Sequence, residues 1–212
     1  APTDLKKAHT LLKGQCLRLL ASASAEEDAS AAVRDYATRH AVEHCCACND
    51  PMSAAQLVLQ FSYLLKRSTL GPATSALQAD LHQIHLKQKR LPPGSEQLLQ
   101  TLGYLRDALH LASPGLNRDG LEIAGQLVCR LKRVTDSGEY PELTALVRKA
   151  AEWPGPRGAS WWKPVSQSFE PAGGACRQIL SGHTGAVNAV CCMETLNGVP
   201  CIFSGAADFS VR

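Results

Sequence analysis

Aromatic side chains are scarce: four Phe, four Tyr and three Trp make up 5% of 212 residues. A core built from this chain therefore rests on Leu, Ala and Val. An excess of either charge is also missing, because 22 basic residues oppose 19 acidic ones and leave +3. That balance argues against the basic groove of a nucleic-acid binder and against a cationic membrane face. Long apolar runs are absent. Stretches such as Ala189 to Met193 fall far short of the roughly 18 residues that cross a bilayer. No Asn-x-Ser/Thr sequon occurs, and no apolar signal segment stands at Ala1. Nine cysteines, an odd number, then read as reduced thiols of a cytoplasmic protein and not as a disulfide frame. Gly-x-x-x-x-Gly-Lys-Ser/Thr and His-Glu-x-x-His are both missing, so the chain carries neither a nucleotide phosphate cradle nor a metalloprotease centre.

What the chain does have is helical periodicity. Apolar residues make up 45% of it and, from Leu5 to about Ala150, return every three or four positions. The spacing predicts seven amphipathic helices in an all-α superhelical domain over residues 4–152. The first runs from about Asp4 to Leu20. The second, from about Glu26 to Cys46, places Val33, Tyr36, Ala37, His40, Ala41 and His44 on one buried stripe. Asp50-Pro51, a cap followed by proline at the first helical position, opens a third helix that continues to Gly71-Pro72. A fourth covers about Ala73 to Lys87. Ser95 caps a fifth, which Ser113-Pro114-Gly115 ends; a sixth carries Ala124 to Val134, and Tyr140-Pro141 begins a seventh. Short loops between amphipathic helices imply neighbours stacked as a bundle or superhelix.

At Trp153 the composition changes. Trp153-Pro154-Gly155-Pro156 and Pro171-Ala172-Gly173-Gly174 bracket a Trp/Pro/Gly-rich linker over 153–175, and all three tryptophans, Trp153, Trp161 and Trp162, fall inside it. They are expected to pack the linker onto the helices, with Trp161, Trp162, Pro171, Gly173 and Gly174 as the joint. From Cys176 strand-like runs appear at Gln178 to Leu180, Val187 to Met193 and Pro200 to Ser204. Cys191, Cys192 and Cys201 in these runs are expected to be packed, reduced fillers.

One cluster invites a metal reading. His40, His44, Cys45 and Cys48 contain both His-x-x-x-His and Cys-x-x-Cys, with Cys46 between. Against zinc, Cys45 lies about 100 degrees round the helix from His44, so one ion would require the helix to unwind. The alternative is that the histidines are hydrogen-bonded core residues and the cysteines small apolar ones. The favoured expectation is no metal, no cofactor and no catalytic residue, with a zinc-binding helical protein or hydrolase using His40 to Cys48 as the rival.

Two sets of residues carry a family resemblance. Gly182-His183, followed by Ser204-Gly205-Ala206-Ala207-Asp208, resembles the opening blade of a WD-repeat β-propeller. The resemblance implies that His183, Ser204 and Asp208 form a buried hydrogen-bond network whose tryptophan would fall about two residues beyond Arg212. Phe209 departs from the pattern, because that turn position usually carries Gly or Asn. The order of Asp35-Tyr36-Ala37-Thr38-Arg39-His40, Leu105-Arg106-Asp107-Ala108-Leu109, Gly125 to Leu131, Trp162-Lys163-Pro164 and Pro171-Ala172-Gly173-Gly174 is similar to the helical region that joins the nucleotide switch to the propeller in NACHT and Apaf-like signalling ATPases, the STAND family. It implies a fragment with protein partners and a non-enzymatic scaffold role: a nucleotide-binding module before Ala1, and an incomplete first blade over 176–212 with more blades to follow. A helical-repeat adaptor with no ATPase is the other alternative. Neither a nucleic-acid nor a membrane partner is expected.

Overall fold

The computed structural model describes residues 2–21, 30–156, 169–176, 179–180, 182–194 and 200–212. Its contacts separate two compact units, Ala1–Ile179 and Leu180–Arg212. The first is mainly helical. Among the described residues it contains α1 (Pro2–Ala21), α2 (Ala31–Ala47), α3 (Pro51–Val58), α4 (Phe61–Thr69), α5 (Ala73–Leu86), α6 (Glu96–Leu116), α7 (Ile123–Asp136) and α8 (Pro141–Glu152). None of these helices is long and apolar enough to cross a membrane.

Local chemistry explains most of the boundaries. The Ser30 hydroxyl accepts from Val33 N–H at 3.4 Å and starts α2; the Glu26 start expected from periodicity lies outside the described residues. Asp50 accepts from Ser53 N–H at 3.1 Å ahead of Pro51, and Lys13 of α1 donates to the same carboxylate at 3.1 Å. The cap that opens α3 therefore also fastens α1. Tyr140 and Pro141 begin α8 as the sequence predicts.

Two boundaries differ from expectation. The predicted third helix is broken into α3 and α4, with Leu59 capping one and Gln60 extended at φ −90°, ψ 124°. No glycine or proline forces this break. The halves serve different neighbours: α3 packs on α2 and α5, whereas α4 also reaches α7 and α8. A straight helix would not meet both sets. Ser113-Pro114-Gly115, predicted as a stop, lies inside the last turn of α6, which continues to Leu116. Near a C-terminus proline removes one helical bond, and burial of Gly115 and Leu116 outweighs it.

One contiguous apolar cluster joins the helices, from Ala37 and Ala41 of α2 through Leu64, Leu77, Leu105 and Leu127 to Leu143 and Leu146 of α8. Each fully buried Leu contributes about 1.5–3 kcal/mol. Polar groups inside it are paired where they carry charge: Tyr63 Oη donates to Asp80 at 2.8 Å, and Arg67 Nε donates to the same oxygen at 3.0 Å. This triad binds α4 to α5.

The predicted stripe of α2 is corrected in part. Ala37, Ala41 and His44 are buried, but Val33 is 47% and Tyr36 41% exposed, and His40 is half-exposed. Tyr36 nonetheless keeps its hydroxyl 3.0 Å from His44 Nε2 and its ring beside His40.

The second unit is a two-stranded antiparallel sheet, β1 (Val187–Glu194) with β2 (Pro200–Ala206), pairing Val190 with Ser204 and Met193 with Cys201. Ile179 and Leu180, expected in a first strand, have no strand structure, and Gln178 lies outside the described residues. Every β1 residue is exposed, including Val190 and Met193. Cys191 and Cys192, predicted as packed fillers, are exposed too, because the ribbon has no covering layer within its unit. Cys16, Cys45, Cys46, Cys48, Cys191, Cys192 and Cys201 are free thiols.

Candidate functional site

In the sheet unit, the structure brings His183, Ser204 and Asp208 together. His183 precedes β1, Ser204 is on β2, and Asp208 is in the turn that follows. The His183 ring bridges them, with Nδ1 at 3.1 Å from Asp208 Oδ2 and Nε2 at 2.8 Å from Ser204 Oγ. With Nδ1 donating to the carboxylate, Nε2 accepts the Ser204 hydroxyl proton. Asp208 takes further bonds from Thr184 N–H at 2.8 Å, Ser210 Oγ at 2.7 Å and Ser210 N–H at 3.1 Å. The Ser210 hydroxyl, then the Thr184 amide and His183, hold this carboxyl well below the usual carboxylate range. Thr184 and Ser210 were not singled out from sequence, although Ser210 stands two residues past the aspartate, where an Asx turn places its amide on the carboxylate.

Serine, imidazole and carboxylate in this order are also the relay of a serine hydrolase. Here the main chain at the serine is paired: Ser204 N–H donates to the Arg212 carbonyl at 2.8 Å, and Arg212 N–H returns to Ser204 O at 3.0 Å. The amide that would stabilise an oxyanion is engaged. What the arrangement does chemically is tie three separated stretches of backbone, with the histidine and aspartate side chains 9% and 10% exposed. Phe209, next to it, has φ +60° and is fully exposed, so the residue that departs from the Gly or Asn of the pattern adopts a left-handed conformation.

A second constellation belongs to the helical unit. Of the predicted joint, Trp161 and Trp162 lie outside the described residues, Gly173 lies against Tyr104 of α6, and Gly174 N–H donates to the Pro171 carbonyl at 3.3 Å. Arg130 of α7 donates from a guanidinium N–H to the Glu170 carbonyl at 2.9 Å and lies 5.0 Å from the Phe169 ring centroid. Its own carbonyl accepts from Ala172 N–H at 2.9 Å, and Ala172 is buried. Within α7, Arg130 Nε donates to Gln126 Oε1 at 2.8 Å. Gly173 sits at φ +73° against Tyr104, where a Cβ would come within 2.5 Å of the ring. Tyr104 in turn packs edge-on to Tyr140, whose hydroxyl donates to Gln100. Trp153 packs edge-on to Phe61 of α4. Arg130 and Tyr104 were missed in the sequence; the available signal was an arginine on the apolar stripe of Gly125 to Leu131.

The histidine and cysteine cluster is not assembled as a ligand set. His44 is buried, with Nε2 at 3.0 Å from Tyr36 Oη and Nδ1 at 2.9 Å from His9 Nδ1 of α1. His40 pairs with Glu43 at 2.9 Å. Cys45 is fully buried in the core and its thiol is pushed up to about 12, chiefly by burial; Cys48 lies beside Thr10 at 3.6 Å. Among the described residues no group of three or more His, Cys, Asp or Glu is placed to hold a metal ion.

No protein-family profile, curated protein or solved structure matches the chain.

Proposed function

We propose that the chain is a non-catalytic, protein-interacting scaffold segment of a NACHT/Apaf-like signalling ATPase, in which helices link a nucleotide switch before Ala1 to a WD-repeat propeller that opens at about Cys176. The observation that carries the reading is the His183–Ser204–Asp208 network, formed by residues that the WD-repeat resemblance singles out, on a ribbon open on both faces. A ribbon of two strands is marginal alone and needs further strands to bury its faces. In a propeller blade those strands exist, and neighbouring blades cover the apolar residues that are bare here.

The coupling is mechanical. Arg130 of α7 grips Glu170 and Phe169 about ten residues ahead of the sheet unit, so a shift of α7 against its neighbours moves the chain that leads toward the blade. Proteins are the partners, the protein is cytoplasmic, and neither a cofactor nor a nucleic acid or membrane is needed. The reading predicts a phosphate-binding loop in the coding sequence before Ala1, and further Gly-His and Ser-Gly-x-x-Asp pairs every 40 to 45 residues or so after Arg212. Finding neither would overturn it; finding the repeats without the loop would leave a WD-repeat scaffold with no ATPase.

A further inference from the structure

A cleft of about 780 Å³ opens between α5 and α6. It takes no part in the sheet network or in the Arg130 grip. Its apolar side is made by Leu81 and Ile84 of α5 with Leu99 and Leu102 of α6. Three histidines stand round it, His82 and His85 exposed on α5 and His110 half-buried on α6, and none of their rings makes a hydrogen bond among the described residues. On α6, Leu99, Gly103, Arg106 and His110 follow the helical repeat, so one face of that helix forms the wall.

Gly103 is the first sign of an occupant. It lies in the interior of α6, where glycine is disfavoured relative to alanine, yet a Cβ placed there would meet nothing within 4 Å. No packing among the described residues therefore requires glycine at this position. The missing side chain widens the cleft and lets a guest approach the helix backbone. Arg106, about one turn further on, is the second sign. Its guanidinium is 3.6 Å from Asp107, beyond hydrogen-bond range, and makes no hydrogen bond among the described residues. The planar fork is open to two oxygens of one group. A further turn on, burial and then the nearby Arg106 lower the pKa of His110, against a weaker pull from Asp107, so its ring is a neutral donor and acceptor. Asp107 is buried on the same wall. One guanidinium beside one buried carboxylate suits a ligand with a single negative charge and disfavours a dianion such as phosphate.

We infer that this cleft binds a small monocarboxylate with an apolar body, the carboxylate on Arg106 and His110 and the body over Leu81, Leu99 and Leu102 against Gly103. The volume is that of a small-molecule site. Amide and imidazole resonances of the 212-residue chain, titrated with phenylacetate, indole-3-acetate and 4-methylpentanoate, test this. At least one acid should give saturable shifts centred on Gly103, Arg106 and His110, and its uncharged amide should bind about 10-fold or more weakly. Inorganic phosphate should give no saturable shift there. Arg106→Ala should weaken binding about 10-fold or more, and Arg106→Lys, which keeps the charge and loses the fork, should not restore it. Gly103→Leu should abolish binding by filling the cleft, with the melting temperature unchanged or raised. Failure of all three acids to saturate, an amide or phosphate that binds as tightly as the acid, or binding that survives Gly103→Leu would overturn the site.

Discussion

Gly173 lies against the ring of Tyr104 at φ +73°, a place where both the backbone and the space exclude a side chain. The segment ahead of the sheet unit is thereby seated on α6 and α7. Gly173→Ala should cost about 1–3 kcal/mol, from the left-handed conformation and the clash together. Thermal unfolding measures the loss, and limited proteolysis should cut between residues 169 and 176 faster in the variant. Unchanged proteolysis would mean that the seat does not hold the segment.

Arg130 makes the other half of that contact. Its replacement by Lys keeps a charge but cannot reproduce the fork that bonds Glu170 O and Gln126 while lying over Phe169. Both Arg130→Lys and Arg130→Ala should therefore destabilise, Ala by about 2–3 kcal/mol through lost bonds and lost packing. A Lys variant as stable as the parent would show that charge alone suffices.

The buried triad on α4 and α5 gives a larger effect. Removing Asp80 leaves Arg67 and Tyr63 without their shared acceptor in the interior. Asp80→Ala should lower stability by about 3–5 kcal/mol, whereas Tyr63→Phe, which keeps the ion pair, should lose only about 1 kcal/mol. Denaturant midpoints compare the two directly.

Acidification should loosen α1 from α2. Burial, then the neighbouring His9 and, more weakly, His40, depress the pKa of His44, against an opposing pull from Glu43. Tyr36 supplies the remaining contact. The unfolded chain then binds a proton more readily than the folded one, so this contribution is complete above the ordinary histidine value near 6.5 and fades as pH falls below it. Melting temperature should drop between pH 7.5 and 5.5, and His44→Gln should flatten that drop.

Phe209 holds a left-handed turn that glycine adopts freely. Phe209→Gly should stabilise the His183–Asp208 turn by about 1 kcal/mol, offset in part by the entropy of the unfolded glycine. The His183 ring resonances report whether the network tightens.

The legible features were those with local causes. Asp50-Pro51 and Tyr140-Pro141 announce helix starts because a capping side chain or a proline at the first helical position acts locally, whereas the Ser30 cap was passed over in favour of a start at Glu26; His183, Ser204 and Asp208 were legible through a motif with fixed spacing. The break at Leu59-Gln60 was not, because it arises from α3 and α4 packing on different helices and no residue there signals a turn. Pro114 misled, since a breaker's effect depends on how much helix remains beyond it. The Arg130 contact joins residues 40 apart, and an arginine on a helix reads as solvated until the Phe169–Ala172 stretch folds over it. Exposed Cys191 and Cys192 were read as fillers because the strand pattern is that of a covered sheet, and the cover is absent from this unit.

As proposed, residues 176–212 would open a propeller blade fed by the helical unit. Amide hydrogen exchange over Val187–Val190 tests it most directly, compared between this chain and one extended past Arg212 by the sequence that follows in its gene. Rapid exchange is expected in the 212-residue chain, slowing at least about 100-fold in the extended one as neighbouring strands form, with that slowing lost in His183→Ala. Slow exchange in the 212-residue chain alone, or an extension that changes nothing, would contradict it.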